Sequence, residues 1–266
     1  MIQENMSFVH PDAKIGKNVR IDAFAYVADN VHIGEGTWIG PNATVLSGAR
    51  IGKHCQIFPG AVISGIPQDL KFEGEETTAE IGAYTTVREC VTINRGTSFR
   101  GKTKVGSNCL LMAYAHVAHD CTLGDHVILA NSVNLAGHVV VEDFAILEGT
   151  VAVQQFVKIG GHAFVTGGSM VRKNVPPYVK AGREPLSFVG VNTIGLHRRG
   201  YDLSTIQQIE DIYRLLYVRG YNTTKAVKII QEEIEESREK NYILDFIKGS
   251  TKGIMRGLKK INAAKS

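Results

Sequence analysis

The stretch VGSNCL-LMAYAH-VAHDCT-LGDHVI-LANSVN-LAGHVV-VEDFAI, residues 105–146, divides into consecutive blocks of six. Each block opens on an aliphatic residue: Val105, Leu111, Val117, Leu123, Leu129, Leu135 and Val141. Each carries a small or β-branched residue at its fifth place: Cys109, Ala115, Cys121, Val127, Val133, Val139 and Ala145. A period of six matches neither the 3.6 of an amphipathic helix nor the 2 of one long strand; it fits short strands joined by repeated tight turns. The large aliphatic residue fills a narrow interior and the small one sits where neighbouring backbones converge. Gly, Asn or Asp supplies turn dihedrals that other residues resist. The pattern alone specifies a parallel solenoid.

The same clock runs outward in both directions. Upstream, an aliphatic residue recurs at every sixth position from Val9 to Ile63 and again at Ile81, Val87 and Ile93; downstream the count continues to Val171. Two polar stretches interrupt it, SGIPQDLKFEGEETTAE at 64–80 and SFRGKTK at 98–104. A repeat scaffold tolerates such loops at its surface, and they often carry function. Asn174-Val175-Pro176-Pro177 then marks a break. Beyond about Pro185 the period turns helical. Ile206, Ile209, Ile212 and Leu215/Leu216 share one face, as do Ala226, Ile229/Ile230 and Ile234, with Asp202 or Ser204 and Asn222 as candidate caps. Two shorter helices are expected around Tyr242–Ile247 and Ser250–Leu258. The chain therefore divides into a repeat domain over 1–185 and a helical domain over 186–266.

With 266 residues, 44% of them apolar, the chain can bury a sizeable core and is not disordered. The first ten residues lack a basic segment followed by an apolar run, and no stretch approaches about 18 uninterrupted apolar residues. A cytoplasmic protein with no integral membrane segment is expected. Cys55, Cys90, Cys109 and Cys121 form no CxxC pair, and three of them occupy the small interior position, which favours free thiols over a zinc or redox motif. Residues 1–197 balance 16 Lys and Arg against 17 Asp and Glu, whereas residues 198–266 hold 14 against 9, an excess of +5. That excess fits either an acidic partner or a solvated helical surface, and nothing in the pattern points to nucleic acid.

If three hexads make one coil, residue i lies on residue i+18 about 4.8 Å along the axis. His119 then falls in a column with Gly137 and Gln155, and Asp120 in a column with His138 and Phe156. The segment Ala115-His116-Val117-Ala118-His119-Asp120 thus meets Gly137-His138 of the next coil, a polar cluster on an otherwise aliphatic scaffold. A histidine can accept a proton at neutral pH, an adjacent Asp can orient it, and a nearby Gly can offer its N–H to a developing oxyanion. Any one histidine reads equally well as part of a solvated face, the reading kept for His10, His32, His54, His126 and His197. Cys121, the residue after Asp120, takes the small interior position, and no outward-facing Ser or Cys nucleophile is visible beside the cluster, so direct transfer by general-base catalysis follows more naturally than a covalent intermediate.

The hexads resemble the hexapeptide-repeat acyltransferases, a resemblance that implies an all-β left-handed parallel β-helix, here followed by a small α-helical C-terminal domain. LLMAYAHVAHDCTLGDHVILAN, LAGHVVVEDFAI, QQFVKIGGHAFVTGGS, NVPPYV, GVNTIGLHRRG and the loop motif IPQDLKF are together more specific. Across the whole chain they resemble the UDP-N-acetylglucosamine O-acyltransferase family of lipid A biosynthesis. The resemblance implies transfer of a 3-hydroxyacyl group from acyl carrier protein to the sugar 3-hydroxyl of UDP-N-acetylglucosamine. The donor is a phosphopantetheine thioester, and no cofactor or metal is implied. His119 matches the family's base, Asp120 the group that orients it, and Gly137 the oxyanion donor. Gln68, Asp69, Lys71, His116, His138 and Gln155 match residues lining the sugar and acyl positions. Gln154 stands beside them where a His is frequent. Asn192, Arg198 and Arg199 match the nucleotide end, a guanidinium pair suiting a diphosphate; by itself the pair reads as the basic end of a helix closed by Gly200. Gly167 matches the position that sets acyl length, with Thr166 before it where another small residue is common; alone, Gly167 reads as a turn glycine. The resemblance further implies a homotrimer with active sites between neighbouring solenoids, a cytoplasmic location, and a basic tail suited to acidic acyl carrier protein.

Three other readings compete. An N-acyltransferase of the same pathway shares the chemistry but has a globular domain before its β-helix, for which hexads starting at Val9 leave no room. A γ-class carbonic anhydrase would hold zinc on histidines such as His116, His119 and His138. A non-catalytic solenoid would not need the localised cluster.

Overall fold

The computed structural model describes residues 2–3 and 6–257. The hexads form short parallel strands that wind into a left-handed β-helix of triangular section, with its three faces as sheets of 11, 9 and 8 strands. Register follows the stacking rule. Leu111 pairs with Leu129, Leu129 with Leu147 and Leu147 with Val165, each 18 residues apart and all fully buried. The two interruptions lengthen the coils that carry them. Ile57 pairs with Val87, an offset of 30, and Val87 with Leu111, an offset of 24. Twelve and six residues are thus looped out beyond the regular 18.

At nearly every corner the second turn residue adopts left-handed φ. Asn108, Tyr114, Asp120, His126, Ser132 and His138 follow one another at six-residue intervals with φ between 56° and 64°. Such φ is uncommon for residues other than Gly and costs backbone energy, which the stacked neighbours offset. Corner side chains are thereby aimed outward while strand aliphatics point in. The interior cysteines donate to carbonyls of the next coil, Cys109 Sγ to Gly124 O at 3.2 Å and Cys121 Sγ to Ala136 O at 3.2 Å. Burial pushes these thiols up, Cys109 to about 11 and Cys121 to about 12, so they remain protonated and inert.

The solenoid extends beyond the expected end at Val171. Val175 bridges Ile159, Val179–Gly182 pairs in parallel with Phe164–Val165, and Ser187–Val191 folds back antiparallel. Spacing hides this coil, because Val175 follows Val171 by four residues rather than six, although Val175 and Val179 are fully buried. The coil is capped by helices α1 (Thr193–Arg198), α2 (Leu203–Tyr217), α3 (Thr223–Glu233) and α4 (Arg238–Lys248). Asp202, Asn222 and Ser237 cap the last three through side-chain oxygens, accepting from Thr205, Lys225 and Lys240 amides. Ile206, Ile209, Ile212 and Leu216 of α2 are buried, as their spacing predicts. Tyr213 donates to Pro177 O at 2.6 Å, and Tyr242 of α4 bridges Glu142 and the Gly161 amide, tying helices to solenoid.

The helix expected over Ser250–Leu258 does not form. Gly253 takes φ +71°, and the chain runs extended, Met255 N donating to Asn174 O at 2.8 Å and Phe188 N to Arg256 O at 3.0 Å. Gly253 and Gly257 weaken a helix over this segment, and the open edge at Asn174 offers partners instead. Leu258 lies outside the described residues.

Candidate active site

The strand His116–Val117 buries Val117 and leads into a corner formed by His119 and Asp120. Asp120 sits at φ +60° with its side chain fully buried, which brings its Oδ2 within 2.8 Å of His119 Nδ1. The other ring nitrogen, Nε2, lies 3.9 Å from Asp69 Oδ2 of the long loop. On the next coil Gly137 lies against the ring. A Cβ built there would stand 2.6 Å from both His119 Cε1 and Nε2, so the imidazole occupies space that only glycine leaves open. The Gly137 N–H enters no hydrogen bond among the described residues.

The imidazole opens into a cleft of about 520 Å³, whose polar wall includes Gln68, His116, Gln154 and Gln155. Burial, then the neighbouring His119, holds the His116 imidazole below its ordinary value, and its Nδ1 meets Thr92 Oγ1 at 2.7 Å. A neutral His116 is therefore available as a hydrogen-bonding group near neutral pH. Burial alone would raise the Asp120 carboxyl, but hydrogen bonds from His119 and Thr97 outweigh it and bring it below the usual carboxylate range. His138 does not line the cleft. It stacks flat on Phe156 at 4.3 Å, with Nδ1 3.8 Å from Asp120 Oδ2, and burial keeps it below its ordinary value.

Other residues singled out by sequence stand apart from this cleft within one chain. Lys71 is exposed, and its amide donates to Asp69 Oδ1 at 3.0 Å, shaping the loop tip. Asn192 caps α1 and donates to His162 O at 3.0 Å. Arg198 is the exposed last residue of α1, and Arg199 lies 4.5 Å over the Phe144 ring. Gly167 donates to Glu148 Oε2 at 3.0 Å, a Cβ on it would come 3.2 Å from Gly149 O, and Thr166 Oγ1 lies 3.3 Å from Ser169 Oγ.

Sequence reasoning missed Asn134, Met170 and Arg172, which also line the cleft. Asn134 and Met170 fall 18 and 54 residues after His116, so stacking His116 rather than His119 would have found two of them. It also passed over His162, held between Phe144 and Tyr178 in a second aromatic column and pushed down to about 4 by burial and then by Arg199.

The zinc alternative meets a different cluster. Among the described residues, the group near enough to share a metal is His119, Asp120 and His138, not the three histidines. Asp120 is a poor ligand there, since its two oxygens already accept from the Thr97 amide and hydroxyl, the Arg100 amide and His119. Coordination would have to break this set.

Both parts of the molecule have relatives. Residues 12–37, 30–65 and 102–137 match the bacterial transferase hexapeptide repeat, and residues 174–255 match the second domain of Udp N-acetylglucosamine O-acyltransferase. The fold and cleft thus define a hexapeptide-repeat transferase. The acyl-(acyl-carrier-protein)–UDP-N-acetylglucosamine O-acyltransferase of Sulfurihydrogenibium sp. (strain YO3AOP1) is 50% identical over 93% of this chain and 92% of its own. That of Xanthomonas oryzae pv. oryzae (strain PXO99A) is 45% identical over 93% and 95%. Among solved structures, the UDP-N-acetylglucosamine acyltransferase of Bacteroides fragilis 9343 superposes with a TM-score of 0.95 at 48% identity, covering 96% of this chain and all of that one. The chain belongs to the UDP-N-acetylglucosamine O-acyltransferase family and is an acyltransferase.

Proposed function

We propose that this protein transfers a 3-hydroxyacyl chain from acyl carrier protein to the 3-hydroxyl of UDP-N-acetylglucosamine, the first step of lipid A biosynthesis, by direct general-base catalysis. The observation that carries the mechanism is the buried His119–Asp120 pair at 2.8 Å, with the second ring nitrogen at the cleft wall. His119 Nε2 takes the proton of the sugar hydroxyl as its oxygen bonds to the thioester carbonyl carbon. Charge developing on the carbonyl oxygen is met by the Gly137 N–H, which no acceptor among the described residues competes for. The carbon–sulfur bond then breaks, and the imidazolium returns its proton to the departing thiolate. Asp120 stabilises the imidazolium in between without taking the proton.

His116, Gln68, Asp69, Gln154 and Gln155 would hold sugar and thioester in this cleft. Asn192, Arg198 and Arg199, distant from it within one chain, would serve the nucleotide bound to a neighbouring subunit of a homotrimer, with Lys71 reaching across the same seam. Gly167 and Thr166 would bound the acyl chain. The reading places the enzyme in the cytoplasm; among the described residues no helix is long and apolar enough to cross a membrane. With the domain limits taken at 1–185 and 186–266, the second unit begins on the strand Ser187–Val191, which closes the solenoid's last coil, and its helices would form a basic cap that meets the acidic carrier.

The test is transfer from carrier proteins bearing 3-hydroxyacyl chains of graded length to UDP-N-acetylglucosamine, with and without dialysis against a strong chelator. Products mono-acylated on oxygen, at equal rates before and after chelation, are expected. Loss of turnover on chelation with recovery on zinc would favour metal-assisted chemistry instead.

A further inference from the structure

The short insertion after Asn94 has a use beyond spanning a corner. It closes on itself, Gly101 N donating to Thr97 O at 2.7 Å, and buries Thr97 against Asp120. Thr97 engages the carboxylate twice, through its amide to Oδ1 at 3.1 Å and through its hydroxyl to Oδ2 at 2.7 Å. The Arg100 amide adds a third donor to Oδ1 at 3.2 Å, and Thr103 Oγ1 anchors the Asp120 amide at 2.9 Å. The direction of the hydroxyl is fixed, because Thr97 Oγ1 accepts from Phe99 N at 3.3 Å and its single proton is left for Asp120.

Asp120 Oδ2 is the atom that also faces His119 Nδ1. A carboxylate held by three other donors is kept as an acceptor, so the proton between the two belongs on Nδ1. The lone pair of the neutral ring is then on Nε2, the nitrogen facing the cleft. We propose that Thr97 is a positioning residue of the transfer reaction, whose hydroxyl fixes Asp120 as an acceptor and thereby His119 in the tautomer with a free Nε2. The inference rests on the reading of His119 as the base.

Thr97→Val keeps the shape and the amide bond and removes the hydroxyl donor. Loss of a hydrogen bond to a charged group predicts roughly a 10- to 100-fold fall in kcat with KM within about twofold. The groups facing Asp120 are His119, His138, the Arg100 segment and the Cys121 thiol, with Asp69 beyond the ring. Losing a donor makes the Asp120 carboxylate more basic, so the acid limb of kcat/KM moves to higher pH. Thr97→Ser restores the hydroxyl and is expected within about twofold of the unsubstituted enzyme. On a His119→Ala background Thr97→Val is expected to lower the residual rate no further, because its effect runs through the imidazole. Should Thr97→Val not fold, Thr97→Ala against Thr97→Ser carries the same comparison. An unchanged kcat and acid limb, a serine variant as impaired as valine, or an equal loss on the His119→Ala background would each overturn the proposal. His119→Ala turning over at the unsubstituted rate would instead remove the base reading on which it stands.

Discussion

His119→Ala is expected to fold as the unsubstituted protein does and to lose roughly a hundred- to ten-thousand-fold in kcat, the range ordinarily lost with a general base. The fold should survive because the ring packs at a corner, outside the column of Leu111, Leu129 and Leu147 that fills the solenoid. The alanine also leaves room against Gly137 rather than creating a clash. Removing the imidazole does leave Asp120 short of one donor, but the Thr97 amide, the Thr97 hydroxyl and the Arg100 amide continue to satisfy it. A modest change in melting temperature is therefore compatible with a large change in rate. Steady-state transfer at saturating concentrations of both substrates, beside a melting curve, checks both halves; turnover near that of the unsubstituted protein would remove His119 from the reaction.

Gly137→Ala should be nearly as damaging, for a different reason. The added methyl would stand 2.6 Å from His119 Cε1 and Nε2, closer than carbon and ring atoms approach. Backbone conformation does not forbid the change, since Gly137 is not among the positive-φ glycines. The ring must therefore yield. It is 4% exposed and tied to Asp120 at 2.8 Å, so it can move only by stretching that bond or swinging Nε2 away from the cleft. A displacement on the order of 1 Å at a reacting group costs about a hundredfold, and we expect at least that loss in kcat with the fold retained. Activity within a few-fold of the unsubstituted protein would show that the contact between the two coils is not critical to transfer.

The repeat was legible because the interior accepts a large aliphatic at one place in six and a small residue four places on, and the same count predicts which residues stack. His119 against Gly137, and His138 against Phe156, follow from it directly. The count fails where the chain leaves the prism. Thr97 and Arg100 reach Asp120 from an insertion that shifts register by six, so no fixed offset connects 97 with 120. Val175 continues the solenoid four residues after Val171, following burial rather than period. The segment after Gly249 is broken by Gly253, and it pairs instead with Asn174 and Phe188, an edge that exists only once the last coil has folded. Arg199 could be read as a phosphate ligand or a helix-end charge; in one chain it lies over Phe144, and sequence gave no means to place that ring beside it.

The central claim is that one imidazole moves the proton while the acyl group passes straight from thioester to sugar, and the intact mass of the protein during turnover tests it most directly. Enzyme mixed with 3-hydroxyacyl carrier protein and UDP-N-acetylglucosamine, quenched in acid over the first few turnovers, should keep its unmodified mass at every time while acylated sugar nucleotide accumulates. A transient gain equal to the acyl group, appearing and decaying at the rate of product formation, would establish a covalent enzyme intermediate and contradict the account.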